Sequence, residues 1–128
     1  MQPAPTPDLE SQPFWDALKG GRIVLQKCTA CHRVRFPRMP ACPYCGADGG
    51  TDFESTGRGE VYSWVRAHIA LTPAMEAEVP YTVATIQLDD GPRLIGAVEA
   101  HGEVRIGDKV TPIFKHHETW TELRFQNA

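Results

Sequence analysis

Apolar residues along this chain first recur at helical spacing and later at period two. Phe14, Trp15 and Leu18 fall at i, i+1 and i+4 within Pro13–Lys19, which predicts a short helix. Asp8 or Ser11 is placed to cap its start, and Gly20-Gly21 ends it. So short a helix docks against something else, because alone it is barely stable. Arg22–Lys27 then reads as a strand. After a turn-rich stretch to about residue 50, near-continuous or alternating apolar runs appear at Gly59–Ile69, Tyr81–Leu88, Arg93–Ala100, Lys109–Phe114 and Thr119–Phe125. Asp89-Asp90-Gly91-Pro92 reads as a hairpin and Ile106-Gly107-Asp108-Lys109 as a sharp turn, while Pro73 and Pro80 interrupt the pattern around Leu71–Pro80. Five short strands within about 75 residues suggest a closed or partly closed barrel, with the OB-fold as the leading candidate.

The turn-rich stretch holds all four cysteines, as Cys28-Thr-Ala-Cys31-His32 and Cys42-Pro-Tyr-Cys45. The first pair alone matches a haem-attachment motif and the second a redox dithiol. Haem attachment would leave Cys42 and Cys45 unexplained. A redox dithiol needs to open a helix that lowers its first thiol's pKa, and Gly46-Ala-Asp-Gly-Gly50 will not propagate one. Together, two C-x-x-C pairs ten residues apart fit a tetrahedral zinc site, each pair forming a knuckle that points two thiolates at one metal. Arg33–Phe36 supplies an extended arm, Pro37 and Pro40 turn the chain, and Gly46 gives the freedom needed after the second knuckle. With four thiolates filling the site, His32 is an exposed neighbour and the zinc is structural. The expected fold is therefore mainly β, with an N-terminal helix and rubredoxin-like zinc ribbon in residues 1–50 and a five-stranded OB-fold barrel in residues 51–128.

Composition and charge narrow the function. Hydrophobic residues make up 41% and charged residues 23% of the chain, which is globular rather than disordered. No apolar run approaches the roughly 18 residues of a membrane span. The leader, Met1 to Pro13, is Pro-rich and acidic without the basic and apolar regions of a secretory signal, so a cytoplasmic location is expected. The net charge of −3 is uneven. Gly21–Ala47 carries Arg22, Lys27, Arg33, Arg35 and Arg38 and no acid, whereas the rest has eight basic and sixteen acidic residues. A basic ribbon suits a polyanion, either nucleic acid or the phosphates of a nucleotide cofactor. Single-strand binding would also need a basic barrel face behind aromatic platforms. The barrel has Tyr62, Trp64, Tyr81, Phe114, Trp120 and Phe125, but its charge is strongly negative, which argues against nucleic acid. Autonomous catalysis is equally hard to build, since there is no nucleophile elbow, P-loop or dinucleotide fingerprint. His68, His101, His116 and His117 read as surface histidines, and the last two would point to opposite faces of a strand. These residues argue for a binding module with a structural metal.

Pro13-Phe14-Trp15, Gly21–Cys28, Phe36-Pro37, Cys42–Gly46, Gly57–Ser63, Pro80-Tyr81, Leu88–Gly91 and Ile106–Val110, in that order, resemble the small zinc-ribbon/OB-fold proteins of acyl-CoA metabolism, long known as a domain of unknown function. The resemblance covers nearly the whole chain after residue 12, with His32 standing where many relatives carry glycine. It implies a non-catalytic subunit, in a hetero-oligomer, that supports a thiolase-like or lipid-transfer-protein-like catalytic partner. That partner would be a retro-aldolase of steroid side-chain acyl-CoA or a thiolase, and this chain would help form the acyl-CoA channel. The coenzyme A moiety would be shared with the partner, with Arg33, Arg35, Arg38 and more weakly Lys27 as candidate phosphate contacts. The large apolar groups Phe14, Trp15, Phe36, Met39 and Tyr44 exceed what the helix and ribbon can cover and are candidates for the interface. The alternative is a free-standing module that binds nucleic acid or coenzyme A.

Overall fold

The computed structural model describes residues 3–100 and 102–128. Helix α1 spans Gln12–Lys19 and leads into a three-stranded antiparallel sheet in the order β2-β1-β3, made of Ile23–Lys27 (β1), Val34–Arg35 (β2) and Thr51–Ser55 (β3). Five further strands close into a ring: Gly59–Ala67 (β4), Tyr81–Leu88 (β5), Arg93–Glu99 (β6), Lys109–His116 (β7) and Thr121–Asn127 (β8), ordered β4-β5-β6-β8-β7. A single 3-10 turn, Pro73–Met75, occupies the interrupted link. The helix, the barrel strands and both turns match the sequence expectations. The Thr51–Ser55 strand pairs with β1, from Ile23↔Ser55 to Lys27↔Thr51, and so completes the ribbon sheet. Among the described residues, no helix is long and apolar enough to cross a membrane.

Helix α1 starts differently from the expectation. Ser11 occupies the cap position, but its side chain makes no capping hydrogen bond. Instead the Asp8 N–H donates to Ser11 Oγ at 3.1 Å and the Ser11 N–H donates to Asp8 Oδ1 at 2.7 Å, a reciprocal pair just before the helix. Pro13 then occupies the first turn, where its missing N–H costs nothing.

The ring is tightly closed only at one end. β4 meets β7 through Gly59↔Val110 and Glu60↔Lys109, and β6 meets β8 in parallel through Val98↔Phe125 and Glu99↔Gln126. Glycine is required at the first seam, because a Cβ on Gly59 would lie 2.3 Å from the Gln87 carbonyl oxygen. Inside, Val61, Ile86, Leu88, Leu94, Val98, Val110 and Phe125 form a buried cluster continuous with Phe14, Leu18, Ile23 and Leu25. Each such side chain contributes about 1.5–3 kcal/mol on burial. The helix and β1 therefore share the barrel's core, while none of the four cysteines belongs to that cluster.

Candidate metal centre and barrel cleft

The two C-x-x-C segments adopt the same local conformation. In the first, the His32 N–H donates to the Cys28 carbonyl at 3.1 Å and the Cys28 N–H to the Arg33 carbonyl at 2.9 Å. In the second, the Gly46 N–H donates to the Cys42 carbonyl at 2.9 Å and the Cys42 N–H to the Ala47 carbonyl at 2.8 Å. Both turns need a left-handed residue after the second cysteine, met by Gly46 (φ 78°) and by His32 (φ 63°). Gly46 carries this conformation freely, whereas His32 bears its steric cost.

The four sulfurs converge. Cys28 Sγ lies 3.7 Å from Cys45 Sγ, Cys31 Sγ lies 3.7 Å from Cys42 Sγ, and all four are within 4.8 Å of one another. A tetrahedron with Zn–S bonds of about 2.3 Å has edges of about 3.8 Å, so the set fits one Zn²⁺. The N–H groups of Cys31 and Ala30 point at Cys28 Sγ and hold its pKa down at about 6. At Cys45 the Ala47 N–H works toward ionisation, but burial and the neighbouring thiols outweigh it and push the pKa up to about 11. Four adjacent sulfurs cannot all ionise without a cation between them. Once four thiolates hold the metal no position is left for substrate, which makes the centre structural.

The basic residues do not form one patch. Arg35, expected at a phosphate, is 1% exposed and serves inside the ribbon. Its Nε donates to Gln26 Oε1 at 2.7 Å, and its Nη2 donates to the carbonyls of Met39 and Gly49 at 3.1 and 3.0 Å. Burial removes it from any phosphate role. Arg38 is paired with Asp52 Oδ1 at 2.8 Å. Arg33 is exposed, its guanidinium 4.7 Å from the Tyr44 ring centroid, and Lys27 lies over Phe53 at 5.8 Å.

The apolar surplus of the helix and ribbon is also mostly covered. Phe14 packs 5.1 Å from Phe36 and 5.3 Å from Trp15, which in turn meets Trp120 at 6.0 Å. Tyr44 stays exposed and Met39 half-buried. Exposed apolar groups concentrate instead on the barrel, among them Tyr62, Trp64, Val65, Ile95 and Ile106. At the open end of the ring lies a cleft of about 1010 Å³, with Trp64, Arg66 and Arg105 at its sides and Thr82, Val98 and Arg124 deeper in. The sequence signal for it is Trp64-Val65-Arg66, where β4 loses its inside–outside alternation after a bulge between Val61 and Ser63. Arg124 is sealed by Glu122, Glu78 and Glu99 at 2.9, 3.1 and 3.2 Å. Burial opposes its charge, but bonds to Glu122 and Glu78 raise its pKa on balance.

The histidines do not assemble a shared acid–base site. His116 Nδ1 contacts Thr121 Oγ1 at 2.8 Å, whereas His117 pairs with Glu122 at 2.8 Å and stacks on Trp120. β7 ends at His116, so the expected strand alternation does not extend to His117; His116 is exposed, whereas the His117 side chain is only 10% exposed and is not the surface histidine expected. His101 lies outside the described residues, as do the first two residues of the Pro-rich leader.

Comparison with known proteins places both halves. Residues 15–51 match the family model "ChsH2, rubredoxin-like zinc ribbon domain", and residues 53–115 match "ChsH2, C-terminal OB-fold domain". The probable enoyl-CoA hydratase alpha subunit of Thermomonospora curvata is 38% identical over 95 residues, covering 74% of this chain and 29% of that protein. A DUF35 domain-containing scaffold protein of Methanocaldococcus jannaschii is 33% identical over 94 residues, covering 70% of this chain and 64% of the relative. The chain thus spans less than two thirds of either relative's length. Among solved structures, the Ltp2-ChsH2(DUF35) aldolase matches with a TM-score of 0.87 at 31% identity, over 97% of this chain and 98% of that one.

Proposed function

The chain belongs to the DUF35 family of zinc-ribbon/OB-fold proteins, with ribbon and barrel of the ChsH2 type, and from that membership we propose that it is the non-catalytic subunit of a cytoplasmic acyl-CoA carbon–carbon bond enzyme. Its partner is a thiolase-like catalytic chain, a retro-aldolase of steroid side-chain acyl-CoA or a thiolase. The observation that carries this reading is the nearly full-length match to one chain of an aldolase at 31% identity. The reading also agrees with the closed cysteine site and with the dispersed histidines, neither of which offers a positioned nucleophile or base.

In the assembly the chain helps enclose the acyl-CoA. Phosphate contact rests with Arg33, more weakly with Lys27, and with Arg38 once released from Asp52. Changing Arg33 to Ala should raise the apparent KM for an acyl-CoA about tenfold, the scale of one charge-assisted hydrogen bond, with zinc content unchanged. The decisive experiment is co-expression with a candidate thiolase-like catalytic chain, sought among the genes beside its own. A complex that turns over acyl-CoA, while this chain alone is inactive, supports the subunit reading. Turnover by this chain alone would overturn it. Submicromolar binding of single-stranded DNA at near-physiological salt, with acyl-CoA kinetics unmoved by the Arg33 change, would favour the nucleic-acid alternative.

A further inference from the structure

The outer half of β4 is an unfinished sheet edge. At Gly59 and Glu60 the strand has neighbours on both sides, β5 and β7. Val61 is still closed, accepting from the Gly107 N–H at 2.8 Å and donating to the Asp108 carbonyl at 2.9 Å. From Tyr62 to Ala67 only β5 remains, and among the described residues no strand or main-chain hydrogen bond occupies the opposite edge. Beyond the bulge the pairing with β5 is regular, from Ser63↔Thr85 to Ala67↔Tyr81, so the segment is a straight strand rather than a frayed end. It is exposed on both faces and carries large apolar groups: Tyr62 is 49%, Trp64 43% and Val65 64% exposed. Sheet edges that must stay free are guarded by proline, lysine or a bulge. Here residues 62–67 contain neither proline nor lysine, and the bulge lies at the root, where it leaves the outer strand open.

The surrounding charge is mixed but leans positive: of the carboxylates that line the cleft, Glu78 and Glu99 are held by Arg124, which leaves Glu103 against the arginines near the edge. Arg66 donates to Thr82 Oγ1 at 3.1 Å, Arg93 sits 3.7 Å from the Tyr62 ring centroid and donates to Gln87, and Arg105 is exposed at the facing wall of the cleft. Among the described residues, none of the three forms an ion pair with a carboxylate of this chain. Three guanidinium groups without an ion-pair partner, against the single remaining cleft carboxylate Glu103, favour an extended segment in which apolar side chains alternate with carboxylates. A second copy of this chain would bring a second set of the same arginines to the seam, and self-pairing is disfavoured. Nucleic acid could stack on Trp64, but it would leave the main-chain N–H and C=O groups of the edge unpaired, which a strand satisfies.

We infer that the open edge of β4, residues 62–67, is completed by an extended acidic segment of the catalytic partner, which adds a strand to the barrel and closes the cleft. This inference rests on the subunit reading above, and its test separates the two. Amide hydrogen exchange is compared between the free chain and the complex purified with the thiolase-like chain it is co-expressed with. Alternate amides within 62–67, those facing the open edge, should exchange freely in the free chain and slow at least 100-fold in the complex. Those already bonded to β5 should change little. The double variant R66E/R93E should weaken the complex at least tenfold, with secondary structure and zinc content retained, and Val65→Lys on the exposed face should weaken it independently. A complex that forms without protection at 62–67 overturns the strand-addition proposal and leaves the subunit reading standing. Failure to form any complex overturns both. Equal protection of the same amides by oligo-dT would overturn the proposal in favour of a nucleic-acid face.

Discussion

The cysteine end of the ribbon and the interior of the barrel are stabilised by different means. The barrel encloses Val61, Ile86, Leu88, Leu94, Val110 and Phe125, each no more than 3% exposed, and needs no polar help at its centre. The cysteine loops have no such interior. What lies under them is four sulfurs and the buried pair Arg35 and Gln26, whose hydrogen bonds satisfy the carbonyls of Met39 and Gly49 and the N–H of Met39. An apolar core tolerates small errors because its cohesion is spread over many contacts. A core made of one ion and one guanidinium concentrates its cohesion in a few bonds, so it should fail all at once.

The sharpest test of that contrast removes the ion. Structural zinc sites contribute roughly 10–16 kcal/mol of apparent binding free energy, so Cys42→Ser, or a strong chelator, should unfold residues 28–50 while the barrel persists. Metal analysis together with residue-resolved NMR reads both halves, and a ribbon that keeps its dispersion without metal would break the contrast. Next, Phe125→Ala should cost about 3–5 kcal/mol and lower the barrel's melting temperature while zinc stays stoichiometric at temperatures below the transition. Arg35→Ala removes a buried side chain with its bonds to Gln26 and to the part-buried carbonyls of Met39 and Gly49 and should cost about 2–4 kcal/mol, read as a fall in chemical-denaturation midpoint and faster zinc loss. Arg38→Ala, which breaks a pair whose Asp52 is largely exposed, should cost under about 1 kcal/mol and serves as the control. Equal effects of the two arginine changes would show that burial of Arg35 is not what matters. The smallest effect is a gain. His32→Gly relieves a left-handed residue, offset in part by glycine's extra freedom when unfolded, and should stabilise the ribbon by about 0.5 kcal/mol. A denaturation midpoint that fell instead would mean the His32 side chain contributes contacts of its own.

Much of this arrangement was legible because it rests on local signals. Alternation placed the five barrel strands, and the spacing of Cys28, Cys31, Cys42 and Cys45 located the convergence of sulfurs. The role of Arg35 was not legible. An arginine in a segment without acids reads as surface charge, and nothing in the sequence reports that main-chain carbonyls from two loops and a strand glutamine will surround it. The same reasoning misplaced the apolar surplus. Phe14, Trp15 and Phe36 looked uncovered only while their contacts with each other, the core and Trp120 were unknown. The open edge of β4 was hidden for a further reason. Whether a strand has one neighbour or two is a property of the ring, and its hydrophobic pattern carries only the weak trace of lost alternation after Val61.

The placement of the three tryptophans makes the molecule its own optical probe. Trp15 and Trp120 lie edge to face and Trp120 stacks on His117, so their emission is coupled to one another and sensitive to quenching by the imidazole. Trp64 stands apart on the open strand, 43% exposed. Its emission should dominate the red side of the spectrum and shift to shorter wavelength when water leaves the cleft, while loosening of the helix from β8 would alter only the paired chromophores. Excitation of one unlabelled chain would then report assembly and helix docking as two separable signals.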